Sequence, residues 1–291
     1  MQGGRLMVVE ANCLGWGFLL LVAALSFEVP SSGSAGFEEG EAAYIRGDYS
    51  TALREFLPLA KAGHLGAQFY LGHMYAYGQG VPLDYAEALK WYRLAAEKGL
   101  PDAQVNLGHM YDTGKGIPQD YREAAKWYRL AAAQGDADAQ TYFGVMHADG
   151  RGVTQDYREA VKWFRLAAGE GNAEAQLYLG LMYSKGQGLP QDHRESAKWL
   201  HLAAARGNAS AMKNLGLLHE LGLGVPRDLI EAYAWYSLAI AHHVPGPERD
   251  SSVGNRDRVG GQLSPEELAR AQQMARDIDT RFKQLGKAVP K

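Results

Sequence analysis

A single cysteine, Cys13, stands in the 291 residues. No internal disulfide can form, and no cysteine-based zinc site is available. Basic charge is not in excess either. Thirty Lys and Arg against 33 Asp and Glu leave a net charge of −3, which excludes the electrostatic footprint of a nucleic-acid binder and a polybasic membrane patch. Long apolar runs are scarce. Leu14 to Phe27 is uncharged over 14 residues, short of the ~18–20 that a membrane-spanning helix needs. No alternating strand pattern precedes any glycine cluster, so the paired glycines are not a dinucleotide-binding loop. With 46% apolar and 22% charged residues, the protein has the composition of a folded molecule.

The short apolar run has its own reading. Arg5 precedes it, and the small residues Gly33-Ser34-Ala35 follow it, the layout of a secretory signal peptide with a small-x-small cleavage site. Residues 1–35 are therefore expected to be a signal peptide and the mature protein to be periplasmic or secreted. An uncleaved membrane anchor is the other reading, and it is the one route to membrane contact that the sequence offers.

What the sequence has in abundance is glycine, 35 residues or about 12% against a usual ~7%, and the glycines are periodic. Gly72, Gly108, Gly144, Gly180 and Gly216 lie 36 apart, as do Gly63, Gly99, Gly135, Gly171 and Gly207. Trp91, Trp127, Trp163, Trp199 and Trp235 keep the same interval, and so do five Gly-x-Gly pairs beginning at Gly78. A fixed period in the range 20–50 signals a solenoid of repeated units.

Each unit reads as two helices. The first, helix A, runs from about Gly66 to Tyr77 in the first full unit and is broken by Gly78-Gln79-Gly80-Val81-Pro82. The second, helix B, starts at Asp84, with Glu87 three residues on, a capping arrangement repeated at Asp120/Glu123, Asp156/Glu159, Asp192/Glu195 and Asp228/Glu231. Ala88, Trp91, Tyr92, Ala95 and Ala96 form one apolar stripe at helical spacing. Lys90, Lys126, Lys162 and Lys198 fall on a solvated face. Small residues such as Gly72 and Ala88 let the two helices approach, and stacking of units makes the core. Trp163, in the central unit, is expected to be packed on both sides and more damaging to lose than Trp235. Val244 to Gln262 reads as a linker with one imperfect helix near Asn255–Arg258. Ser264-Pro265-Glu266-Glu267 then opens a capping helix whose seam is Leu268, Ala271, Ala275, Ile278, Phe282 and Leu285, with Gly286 as its stop.

The pattern A-x-x-x-L-G-x-x-Y-x-x-G-x-G-V-x-x-D-x-x-x-A-x-x-W-Y-x-x-A-A-x-x-G resembles the Sel1-like repeat, a tetratricopeptide-like family, in its bacterial exported form. The resemblance implies an all-α fold: a right-handed superhelical solenoid of antiparallel helix pairs closed by the C-terminal helix. It covers residues 37–243, one short N-terminal unit plus five 36-residue repeats, followed by linker and capping helix over 244–291. It also implies a non-enzymatic scaffold of the bacterial envelope that binds a protein or peptide partner on a concave face built from helix A. That face would carry Phe69, His73, Tyr77, Val105, His109, Asp112, Thr141, Val145, Asp149, Leu177, Leu181, Lys185, Lys213, Leu217 and Glu220. Phe69 with Tyr77, and Leu177 with Leu181, are its candidate apolar anchors. Cysteine-rich relatives resemble penicillin-binding or weak β-lactamase proteins, and a peptidoglycan- or polysaccharide-associated structural role is a further alternative.

Residues that carry chemistry are few. Ser210-Ala211-Met212-Lys213 has the S-x-x-K spacing of penicillin-recognising serine enzymes, but no K-T-G or S-D-N element accompanies it. His73 and His109 lie one repeat apart with no third ligand in register and read as surface or face histidines. His242-His243 read as helix-end residues. No cofactor and no metal is expected.

Overall fold

A computed structural model of the protein describes residues 32–288, and their regular structure is helical throughout: α1 (Ser32–Ile45), α2 (Tyr49–Lys61), α3 (Leu65–Tyr77), α4 (Tyr85–Glu97), α5 (Pro101–Thr113), α6 (Tyr121–Ala133), α7 (Ala137–Asp149), α8 (Tyr157–Gly169), α9 (Ala173–Lys185), α10 (His193–Ala205), α11 (Ala209–Leu221), α12 (Leu229–His242), α13 (Pro247–Gly260) and α14 (Pro265–Ala288). The residues of the expected signal peptide lie outside this range, save that Gly33-Ser34-Ala35 falls in the first turn of α1. The repeat array divides into two compact units, the first ending at Gln134 and the second starting at Gly135.

Helix B begins where the aspartates place it. At Asp84 the backbone is extended (φ −147°), and the carboxylate accepts the backbone N–H groups of Ala86 at 2.9 Å and Glu87 at 3.1 Å. The same bonds recur at Asp120, Asp156, Asp192 and Asp228. Each such cap is worth roughly 1 kcal/mol. The Glu at the third helical position does not reach back to complete a reciprocal box. Glu87, Glu123 and Glu159 turn forward onto Lys90, Lys126 and Lys162 at 3.1, 3.3 and 2.6 Å, exposed pairs worth well under 1 kcal/mol. A reciprocal box does close at α14, where Ser264 N–H donates to Glu267 Oε2 at 2.8 Å and Glu267 N–H to Ser264 Oγ at 3.3 Å.

Within each pair, a helix-A glycine lies against a large helix-B side chain. A Cβ added to Gly72 would sit 2.6 Å from Tyr92 Cδ1, and at Gly144 2.7 Å from Phe164 Cε1. Gly108, Gly180 and Gly216 face Tyr128, Leu200 and Tyr236 with the same lack of room. Between pairs, Gly80 does comparable work: its φ of +72° suits glycine, and a Cβ there would be 2.6 Å from Tyr49 Cβ at the start of α2. A second inter-repeat tie is polar. Gln68, Gln104 and Gln176 are buried on helix A and donate through Nε2 to the carbonyls of Ala60, Ala96 and Ala168 at 3.0, 3.0 and 3.1 Å, ending the preceding helix B.

In the first unit, α1 and α2 seal one end with aromatic rings: Phe56 stacks on Tyr70 at 4.8 Å, and Phe37 lies 5.8 Å from Phe56. In the second unit the C-terminal segment departs from expectation. The stretch expected to be mostly linker contains a full helix, α13, because Pro247 at its start and Glu248 and Asp250 in its first turn suit a helix N-terminus. It buries only Ser252 and Val259, too few apolar positions to show a period. Helix α14 also runs through Gly286 to Ala288. It packs on α12 and sets Phe282 6.2 Å from the Trp235 ring.

That contact reverses the expected order of the tryptophans. Trp235 is 4% exposed, enclosed by Phe282 and by His201 at 5.2 Å, whereas Trp163 remains half-exposed to solvent beside Phe143. Truncation of a buried Trp costs ~3–5 kcal/mol, so Trp235→Ala should lower the melting temperature more than Trp163→Ala in thermal denaturation followed by circular dichroism. The glycines supply a sharper contrast. Gly144→Ala should destabilise by roughly 1–3 kcal/mol through overpacking against Phe164. Gly169→Ala, at a helical site with nothing within 4 Å, should stabilise by roughly 0.5 kcal/mol, as read from urea midpoints.

Candidate functional site

The helix-A residues singled out above separate into buried, committed and available groups. In the first unit, Phe69 and His73 are not exposed anchors: they are 4% and 6% exposed. Phe69 packs between Tyr70 and Tyr92 of α4, at ring separations of 5.7 and 5.9 Å, and Tyr44 of α1 lies over His73 at 5.8 Å. Tyr77 stays 42% exposed with its ring stacked 4.3 Å from His73. Val105, His109 and Asp112 on α5 are half-buried.

His73 belongs to a polar cluster inside that packing. The Tyr44 hydroxyl donates to Gln79 Oε1 at 2.7 Å, which spends its one proton. The 2.6 Å contact between Tyr44 Oη and His73 Nδ1 then requires His73 to donate from Nδ1, so the ring is the neutral Nδ1–H tautomer. Its Nε2 is buried with no hydrogen-bond partner, and protonating it would bury an unsatisfied charged donor. Burial accordingly pushes the His73 pKa down to about 4, opposed weakly by Gln79. The same burial pushes the Tyr44 phenol well above its ordinary value.

In the second unit, Thr141 is buried and donates to the Ala137 carbonyl at 2.7 Å, and Leu177 is 9% exposed within the core around α10 and α11. Two further expected contact residues hold the C-terminal segment instead. Lys213 Nζ pairs with Glu248 of α13. Glu220 is 8% exposed, and its carboxylate accepts the Tyr236 hydroxyl at 2.8 Å and pairs with Arg258 of α13. The Arg258 guanidinium, more than the Tyr236 hydroxyl, holds the Glu220 carboxyl below its ordinary range. The Lys213 ammonium is thus engaged with Glu248, and the Ser210 carbonyl accepts from Asn214 Nδ2 at 2.8 Å. Leu217 is 40% exposed.

The remaining four come together. Val145 and Asp149 from α7, with Leu181 and Lys185 from α9, line one pocket of about 240 Å³ completed by Ala148, Met182, Tyr157, Tyr178 and Gln187. Val145, Ala148, Leu181 and Met182 supply the apolar surface. Tyr178 is fixed from behind by stacking on Phe164 at 5.1 Å, and its phenol is pushed up to about 12, chiefly by burial and then by the Glu174 carboxylate. Gln155 Nε2 donates to the Tyr157 hydroxyl at 3.1 Å. Asp149 pairs with Arg151 at 3.3 Å. Tyr157 and Tyr178 were not among the residues picked from the sequence; Tyr157 repeats at the first position of helix B, a register that reads as structural.

Among the described residues, no cluster of three or more His, Cys, Asp or Glu is placed to hold a metal ion. No helix among them is long and apolar enough to cross a membrane.

The family model described as "Sel1 repeat" matches residues 65–100, 101–136, 137–172, 173–208 and 209–243. A solved structure of a protective antigen present in uropathogenic Escherichia coli strains, displaying an SLR fold, is 33% identical with a TM-score of 0.72, covering 86% of this chain and 54% of that one. The protein thus spans about half the length of that antigen. A Sel1 repeat protein from Oxalobacter formigenes is 29% identical with a TM-score of 0.73, covering 82% of this chain and 96% of that one. No curated protein matches the sequence.

Protonation of His73 gives a measurable consequence. Because folding holds the ring neutral, its contribution is complete above the unfolded pKa of ~6.5 and is lost as pH falls from there toward 4. The loss amounts to about 3 kcal/mol. Urea denaturation at pH 7 and pH 4.5 should show the native protein losing more stability than His73→Phe, in which that titration is removed; parallel losses would refute the assignment.

Proposed function

Because the chain belongs to the Sel1 repeat family, whose members are generally non-catalytic scaffolds for protein interaction, we propose that it binds a protein or peptide partner through the helix-A face of its second unit. The observation that carries this reading is the α7–α9 pocket. It gathers apolar side chains, two tyrosine rings and charged groups at its rim, the mixture found at the centre of protein interfaces. Helix B carries the glycine contacts and the capping aspartates in every repeat, whereas helix A varies at the pocket positions from one repeat to the next.

The proposed place of action is the bacterial envelope, periplasmic or secreted. The short apolar run with Gly33-Ser34-Ala35 supports export, and a similar protein that is a protective antigen supports a location outside the cytoplasm.

A photo-crosslinking amino acid at position 181 tests the binding face against one at position 166, where Leu166 is 54% exposed on helix B of the same unit. Expression in the native cells should give a discrete adduct from position 181 and none from 166. Adducts from 166 alone would move the interaction to helix B.

A further inference from the structure

The size and charge of the α7–α9 pocket say what it would take. Its volume of about 240 Å³ falls below the ~300–1,000 Å³ of sites that enclose a whole small molecule, and suits a single side chain anchored from a longer segment. Val145, Leu181 and Met182 offer that side chain an apolar seat in a pocket also lined by Tyr157 and Tyr178. Burial of one aliphatic side chain there is favourable without any polar partner.

The rim is not neutral. Asp149 is answered by Arg151 at 3.3 Å, so those two charges offset each other. Lys185 is exposed and makes no hydrogen bond or ion pair among the described residues. Other lysines of the unit behave differently: Lys162 and Lys198 hold Glu159 and Glu195, and Lys213 holds Glu248. One uncompensated ammonium thus stands at the mouth of an apolar pocket. A basic segment would be repelled there, and a purely apolar one would leave the charge unanswered.

Building on the helix-A binding reading above, we propose that the pocket takes a bulky aliphatic side chain of an extended peptide segment whose neighbouring group is a carboxylate, and that this carboxylate pairs with Lys185. The carboxylate is the side chain of an Asp or Glu within the segment.

The probe is a library of random nine-residue peptides fused to a phage coat protein, selected on the full-length protein. The native protein should enrich peptides with Leu, Ile or Met next to Asp or Glu. Lys185→Glu, a change at an exposed site, should reverse the preference to Lys or Arg and weaken the acidic peptides at least tenfold. Leu181→Ser should remove both enrichments, and circular dichroism of each variant checks the fold. If Leu181→Ser does not fold, the charge reversal at position 185 decides alone. Synthetic peptides ending at the apolar residue, with a free or an amidated terminus, are compared in a fluorescence polarisation assay, and binding that requires the free terminus in place of an Asp or Glu would overturn the side-chain assignment. Peptides that need Leu181 but ignore charge would overturn the Lys185 pairing and leave helix-A binding standing. Peptides indifferent to both substitutions, or no enrichment at all, would overturn both.

Discussion

The distance between the two helices of each repeat is set by a missing methyl group. Gly72, Gly108, Gly144, Gly180 and Gly216 each receive a large helix-B side chain where a Cβ would collide. Interiors packed to this density tolerate little change of volume, so the glycine and the side chain facing it form one unit. The rest of the repeat follows from their contact. With the pair drawn tight, the Gly-x-Gly loop can bring its second glycine onto an earlier helix, and a buried glutamine can reach the carbonyls that end the preceding helix B. Stacking is therefore built from backbone proximity and a few obligatory hydrogen bonds, with surface ion pairs as minor additions.

This division of tasks explains where variation is tolerated. Helix B carries the cap, the large side chain and the small residues in every repeat. Helix A carries the glycine and the glutamine on its inner side and is otherwise adjustable. What helix A displays is also decided by its neighbours. In the first unit, Tyr92 of α4 packs on Phe69 and Tyr44 of α1 covers His73. In the second, α13 takes up Lys213 and Glu220. Positions equivalent in the repeat thus become core, tether or binding surface according to what lies beside them.

The repeat's architecture was legible because it is local and repeated. The Asp caps, the loop glycines and the helix-B stripe depend on residues within a dozen positions, and five copies multiplied each signal. The Gln68, Gln104 and Gln176 series was visible at the same period, but a polar residue on a helix reads as surface until it is seen to turn back on the carbonyl eight residues earlier. The departures share one physical origin: burial by an element that is remote in sequence. Nothing near His73 announces that Tyr44 of α1 covers it, and nothing near Trp235 announces Phe282. Helix α13 escaped notice because two buried residues show no period. Of the pocket, Val145, Asp149, Leu181 and Lys185 were readable as face positions. The pocket itself was not: Tyr178 shares the α9 face with Leu181 and Lys185 but was not singled out, and Tyr157 reaches the pocket from α8 through tertiary packing.

The docking of α14 on α12 bears on how such an array can lengthen. A repeat unit adds to a solenoid by covering the apolar side of the last helix pair. In this protein that side is already occupied: Phe282 lies over Trp235, and Ala271 and Ala275 are buried with it. A 36-residue duplication inserted after α12 would have to displace the closing helix or leave one of the two without a partner. The same duplication placed between earlier repeats would meet on both sides the surfaces that a repeat is made to fit. Insertion of a whole unit is thus accommodated in the interior of the array more readily than beside the helix that covers α12.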